Sequence, residues 1–491
     1  MKKLIVMIVA LTLVFAFASC QPAACTHVDA DKNLVCDECG EKLPCTDHVD
    51  ENGDLVCDKC EEKLPCTDHV DANFDGVCDT EGCDEAVAVD VMTYAEYVAA
   101  EVDTQVIIEA HVQGKQSWWD NKATVYLQDK DGGYLAYNMT CSEADYAKLT
   151  VGTKIRVIGY KAEWSGEVEI VDAYFHILEG ETYVAEPVDL SGMLDSDSLI
   201  DYQNVLASYG VLNVVSIEYK NGGGDDIYLT LAKGENEYSF CVERYLTAPD
   251  SEVYTTVCAL TEGDAVYVEG FLYWYEGMNP HITAVKKIAS HEEYVAAEND
   301  DEVVIVSYVQ AMQSWWDNKA TIYLQSPDGA YFSYETACSE ETYNSIVPGT
   351  KVLIVGYKGE WAGEVEIMDG TLTVINDGDT YVAEAQDLTA LLGTDELINH
   401  QNELALLVDM TVVKIEYKNG TPGDDIYLTL SKDDVEYSLC VEKYLTGPDT
   451  ELYKLFTQGT VLVGDVVDVE CFVYWYNGFN GHVVAIENIN A

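Results

Sequence analysis

Between Cys25 and about Glu85 the chain sets out cysteine, histidine and aspartate three times, at a period of about 20 residues. The copies read CTHVDADKNLVCDECGEKLP, CTDHVDENGDLVCDKCEEKLP and CTDHVDANFDGVCDTEGCDEAV. Nine of the 16 cysteines fall here, three per copy, and each copy has one histidine. A unit this short buries too little apolar surface to fold unaided, so something must cross-link it. Soft ligands at this spacing suit a closed tetrahedral zinc site. Cys45, His48, Cys57 and Cys60 supply the four in the middle copy, with Cys25, His27, Cys36 and Cys39 before it and Cys66, His69, Cys78 and Cys83 after it. A second chemistry fits the same stretch. Asp71, Asn73, Asp75 and Asp79 place oxygen at loop positions one, three, five and nine, around a glycine at six, as a calcium loop requires. Asp50, Asn52, Asp54 and Asp58, and Asp29, Asp31, Asn33 and Asp37, repeat the pattern without that glycine.

These acidic loops resemble the calcium loops of dockerins and thrombospondin type 3 repeats, without the flanking helices of an EF-hand. Each chemistry leaves the other's ligands without a task. Disulfides would absorb the cysteines outside a cell, yet three per unit is an awkward number and the histidine then has no role. A metal is therefore expected, zinc and/or calcium, with zinc ahead.

The N-terminus points to export. Met1-Lys2-Lys3 is basic, Leu4–Phe17 is apolar, and Ala18-Ser19-Cys20 follows. An apolar run of this length is short for a membrane span and right for a signal sequence. Small residues just before a cysteine resemble the lipobox of bacterial lipoproteins. That resemblance implies a signal peptide over 1–19 and a lipid on Cys20, which would anchor the chain outside a bacterial membrane. Phe17 stands where that motif usually has leucine.

The second set of residues with chemical potential is aromatic. SWWDNKATVYLQDKDGGYLAY from Ser117 returns as SWWDNKATIYLQSPDGAYFSY from Ser314, 197 residues on. Trp118, Trp119, Asn121, Tyr126 and Trp164, repeated as Trp315, Trp316, Asn318, Tyr323 and Trp361, can stack on a planar or sugar ring while the amides take hydroxyls. A further aromatic loop carries Trp274 and His281, repeated at Trp475 and His482. The competing reading buries the indoles as barrel caps. Adjacent residues at a turn rarely face the same way, so one tryptophan of each pair is expected inside.

These residues need elements to carry them. Val106–Gln116, Ala123–Gln128 and Tyr134–Met139 alternate as strands, Ser142–Leu149 begins with a helix cap, and Lys154–Tyr160 and Glu167–Ala173 are strands again. Three strands, a helix and two strands is the order of the OB fold, a small five-stranded barrel. The run YLQD, VGTKIRVIGY and WSGEVEI resembles OB-fold modules of secreted bacterial proteins and extracellular nucleases. The fold class expected is mostly β: four tandem OB-like barrels in two duplicated pairs, with short helices and an irregular cysteine-rich N-terminal segment. The domains fall at 20–88 for the cysteine repeats, then 89–195, 196–289, 290–393 and 394–491. The six cysteines within the barrels read as small buried side chains.

With 26 basic against 88 acidic residues the formal charge is -62. Counterion release does not favour phosphate chains on such a surface, so nucleic acid ranks low as a partner and neutral glycan, a cell-wall component or a protein ranks higher. No GxSxG, HExxH, phosphate loop or paired nucleophile stands out, so a non-enzyme is expected. The reading is a lipid-anchored extracytoplasmic binding or display protein. The alternatives are an accessory nucleic-acid-binding component of an extracellular nuclease system and a purely structural surface spacer.

Overall fold

The computed structural model describes residues 25–489, so the expected signal peptide over 1–19 and the expected lipid site at Cys20 lie outside the described residues. The chain divides after Asp90 into two compact units.

The first unit holds the three cysteine repeats. In each, a short antiparallel bridge closes the repeat: Val35 with Lys42, Val56 with Lys63 and Val77 with Ala86. Cys36, Cys57, Cys78 and Cys83 are buried although the unit has little other core. That is the arrangement expected of a fold organised around its sulfur atoms.

The second unit opens with α1 (Tyr94–Ala99), whose Thr93 and Glu96 form the expected reciprocal cap. The strands β1 (Gln105–Lys115), β2 (Lys122–Gln128) and β3 (Gly133–Thr140) follow, then α2 (Glu143–Tyr146), β4 (Lys154–Trp164) and β5 (Glu167–Ile177). They close as a barrel in the order β1-β2-β3-β5-β4. The helix is shorter than its sequence pattern predicts, and β4 is longer. It runs on to Trp164 because Ser165 and Gly166, both at positive φ, make a tight two-residue turn straight into β5.

The next sheet contains β6 (Val188–Asp189), β7 (Leu206–Tyr219), β8 (Ile227–Lys233) and β9 (Asn236–Val242), then α3 (Glu252–Ala259), β10 (Ala265–Phe271) and β11 (His281–Lys287). It is six-stranded, and pairing of β10 with β7 turns it back on itself as a ring. The second pair repeats this. Its barrel is α4 (His291–Ala296), β12 (Glu302–Met312), β13 (Lys319–Ser326), β14 (Gly329–Ala337), α5 (Glu340–Ser345), β15 (Lys351–Trp361) and β16 (Glu364–Val374). Its ring is β17 (Gln386–Asp387), β18 (Leu404–Tyr417), β19 (Ile426–Lys432), β20 (Val435–Val441), α6 (Glu451–Thr457), β21 (Val466–Phe472) and β22 (Asn480–Asn488). The fold is therefore mostly β, in four barrel-like units with short helices, as the strand order predicts.

Each of the four has its own apolar core. A smaller cluster joins barrel and ring. The Tyr126 ring lies flat on Phe271 at 4.1 Å between centroids, and its hydroxyl shares a 2.8 Å hydrogen bond with His281 Nδ1. Tyr323, Phe472 and His482 do the same in the second pair, with a stack at 4.2 Å and a hydrogen bond of 2.5 Å. Gly114 is required here, because a Cβ at that position would lie 2.7 Å from the Phe271 ring. Burial holds His281 and His482 down at about 4, so both rings are neutral at ordinary pH.

Candidate functional site

In each cysteine repeat the ligand atoms of three cysteines and one histidine gather within 4.8 Å of one another. Tetrahedral zinc with bonds of about 2.3 Å to sulfur and 2.0–2.1 Å to nitrogen requires S···S edges of about 3.8 Å and S···N edges of about 3.6 Å. The Sγ atoms of Cys45 and Cys57, and of Cys66 and Cys78, are 3.9 Å apart, and those of Cys25 and Cys36 are 3.3 Å apart. Cys39 to His27 measures 3.7 Å, and Cys60 to His48 and Cys83 to His69 each measure 3.5 Å. These are the edges of a metal tetrahedron, and the donor set fits zinc. Burial opposes ionisation of Cys36 and Cys57, but backbone N–H groups outweigh it and bring both thiols down to about 6. At Cys78 the Thr80 hydroxyl leads the same effect, also to about 6. A thiolate, which a metal requires, is thus easily formed at one position in every repeat.

The acidic loops are a separate feature. Asp50 receives the amides of Gly53, Asp54 and Leu55 at 2.7, 3.2 and 2.9 Å, and Asp58 receives that of Glu51 at 2.7 Å. Asp71 with Asp79, and Asp29 with Asp37, act alike. The carboxylates shape the turn that presents the cysteines, which gives the aspartates a task beside zinc.

The aromatic residues divide by depth. Asp120 and Asn121, both at positive φ, form a two-residue hairpin turn between Trp119 and Lys122. That turn sends the paired indoles opposite ways. Trp118 points inward and donates from Nε1 to the Cys141 carbonyl at 2.8 Å, as Trp315 does to Cys338. Trp119 is 62% exposed and Trp316 57%. Trp164 and Trp361, at the β4–β5 and β15–β16 turns, are 60% and 64% exposed. Asn121 and Asn318 lie exposed within their turns.

One pair leaves the candidate contact set, and two more are half-buried. Tyr126 and Tyr323 are fully buried at the seam and cannot touch a ligand. Trp118 and Trp315 spend their indole N–H groups on backbone. Trp274 and Trp475 pack against the cores of their own rings.

The structure adds Tyr245 and Tyr444, which were not read from the sequence, and places Tyr275 and Tyr476 of the aromatic loops. Ser117 N and Oγ donate to the Tyr245 carbonyl at 2.7 and 3.2 Å, which ties the backbone of the exposed Tyr245 to the start of the Trp119 turn. Ser314 does the same with Tyr444. Arg244 lies over Tyr245 and Lys443 over Tyr444, at 5.0 and 4.7 Å, each also close to an aspartate. At the other edge, Glu276 N donates to Ser165 O, bringing the exposed Tyr275 near Trp164, and Asn477 and Tyr476 repeat this at Ala362. The signal was present: VERYLT and VEKYLT occupy matching places in the two copies.

No known protein family matches the chain, and no curated protein matches it. Among solved structures it is similar to the Ifi202 HINa domain in complex with 20-bp double-stranded DNA, at 11% identity and a TM-score of 0.16, over 35% of this chain and 98% of that one. It is also similar to a murine DNA-binding protein bound with double-stranded DNA, at 10% identity and 0.16, over 34% and 97%. A replication protein A heterotrimer bound to single-stranded DNA aligns at 10% identity and 0.14, over 58% and 93%. All three of those structures contain DNA, the partner that the sequence reading ranks low.

Proposed function

We propose that this protein is a non-enzymatic binding protein that grips a ring-bearing chain by stacking its rings on the exposed indoles Trp119, Trp164, Trp316 and Trp361. The observation that carries the reading is their exposure, repeated in both copies, where an apolar ring gains by leaving water. Exposed tyrosines at the same edges, Tyr245 and Tyr275 with Tyr444 and Tyr476, extend each platform onto the neighbouring ring. Two barrels that each hold a chain weakly gain affinity together when the chain spans both. The cysteine repeats act as a zinc-braced spacer at the N-terminal side. The leader Met1–Ser19 and Cys20 support placement outside a bacterial membrane on a lipid anchor, tested by fatty-acid labelling of the full chain and its loss in Cys20→Ala.

Sugars and nucleic-acid bases both offer such rings, and one experiment separates them. Retention on insoluble glycan and on single-stranded oligonucleotide is measured for wild type and for Trp119→Ala/Trp316→Ala at several salt concentrations. A neutral glycan gives no salt slope, whereas a phosphate chain gives one. Loss of about 30-fold or more in affinity in the double variant, with an unchanged melting temperature, fits stacking of about 1–3 kcal/mol for each of the two rings. Full retention by the variant removes the reading and leaves a structural spacer.

A further inference from the structure

The seam between barrel and ring hides an electrostatic conflict that occurs twice. Glu167, the first residue of β5, has no exposed surface, and its Oε2 accepts the Trp274 backbone N–H at 2.7 Å. Its other oxygen, Oε1, has no hydrogen-bond partner among the described residues, and neither do Asn204 Oδ1 and the Tyr97 hydroxyl nearby. The Asn204 amide nitrogen donates one of its two N–H groups to the Val168 carbonyl at 3.1 Å. Turning that amide over would only trade one unpaired acceptor for another. In the second pair Glu364, Asn402 and Tyr294 leave the same atoms unpartnered, and Glu364 accepts the Trp475 N–H at 2.7 Å.

No cation among the described residues pairs with either carboxylate. Tyr97 faces Glu167 from α1, Tyr126 from β2 and Tyr273 from the loop after β10, and Glu169 adds a like charge from β5 itself. Lys161 of β4 lies beside Tyr97, but its Nζ donates to the carbonyls of Tyr97, Val98 and Ala100 at 3.0, 2.8 and 2.8 Å. Tyr294, Tyr323, Tyr474 and Glu366 surround Glu364 in the same way, and Lys358 is held by Val295 and Ala297. A buried, unbalanced carboxylate beside the unpaired Asn204 or Asn402 amide oxygen is costly, and one proton removes the charge and gives that oxygen a donor.

We propose that Glu167 and Glu364 are neutral carboxylic acids whose single protons latch each barrel to its ring, and that mildly alkaline solution releases this latch. Burial, opposed by the Trp274 or Trp475 amide and the nearby asparagine, raises both groups to about 8. The sign follows from linkage. The folded chain binds the proton more tightly than the unfolded one, so the latch contributes in full below the usual carboxylate range. Its contribution declines as pH rises from about 4.5 and is gone above about 8.

The test uses the full chain and the variant Glu167→Gln/Glu364→Gln, in which the amide mimics the neutral acid. The unfolding equilibrium constant of wild type, divided by that of the variant, rises with pH by up to tenfold per unit per site between about 4.5 and 8, then levels off. A ratio that is flat with pH, or a variant less stable than wild type above about pH 8, overturns the proposal. Infrared difference spectra between the two proteins give a second readout. A protonated carboxylic C=O band is expected near pH 6 and is lost near pH 10; its absence near pH 6 also overturns the proposal. The Trp274 and Trp475 amides, after correction for the intrinsic base catalysis of exchange, should lose protection over the same pH range in wild type and keep it in the variant.

Discussion

At the scale of single residues, the molecule turns on which of two neighbouring aromatics faces water. Trp118 donates to Cys141, so Trp118→Phe should lower stability by about 1 kcal/mol and leave ligand retention unchanged, read by denaturant melts and binding in parallel. Trp119→Ala should do the reverse, because its ring is outside. Tyr126→Phe removes the partner of a fully buried imidazole and should cost about 1–3 kcal/mol by denaturant melt. His281 and His482 have folded values of about 4, below the ordinary 6.5, so the unfolded chain takes up protons first. Stability therefore falls as pH drops from about 6.5 towards 4, and NMR of the two imidazoles should show titration near 4. The presence of paired tryptophans was legible in the sequence, and so was the inward turn of one of each. Which one turned inward was not, because it depends on the carbonyl of Cys141 arriving from another strand.

At the scale of elements, the cysteine repeats and the barrels rest on different physics. Each repeat has almost no apolar core, and its geometry matches a zinc tetrahedron. Metal analysis should return close to three zinc ions per chain, and a strong chelator should unfold residues 25–85 while the barrels keep their β-sheet spectrum. Cys57→Ser should lose one ion. Intact disulfides with no bound metal would contradict this. The strand order of the first barrel could be read directly, since alternation, helix caps and Asp-Gly turns all agree there. The rings were harder. Their sixth strand, β6 or β17, is only two residues long and pairs in parallel with a distant segment, a contact that leaves no local pattern.

For the whole molecule, charge is the dominant fact. With a formal charge of -62 the folded chain repels itself, so moderate monovalent salt should raise the melting temperature of wild type. A flat or falling dependence would mean that ion pairs such as Lys351 with Asp377 outweigh the repulsion. The two pairs also meet each other, through Tyr267, Ile288, Leu353 and Ile375 and through Asn376, which donates to Asp189. The indole platforms of both pairs thus belong to one compact unit, which a spanning ligand requires.

Local periodicity and repetition determined the β class, the duplication, the cysteine spacing and the list of aromatic candidates, because those properties are written in neighbouring residues. Depth and partnership were decided only when distant strands came together. Tyr126 went to a seam instead of a surface because Phe271 and His281 reach it across 145 and 155 positions of chain. The Tyr245 carbonyl met Ser117, across 128 positions, for the same reason. Burial is a property of the packed whole, and no window of sequence contains it.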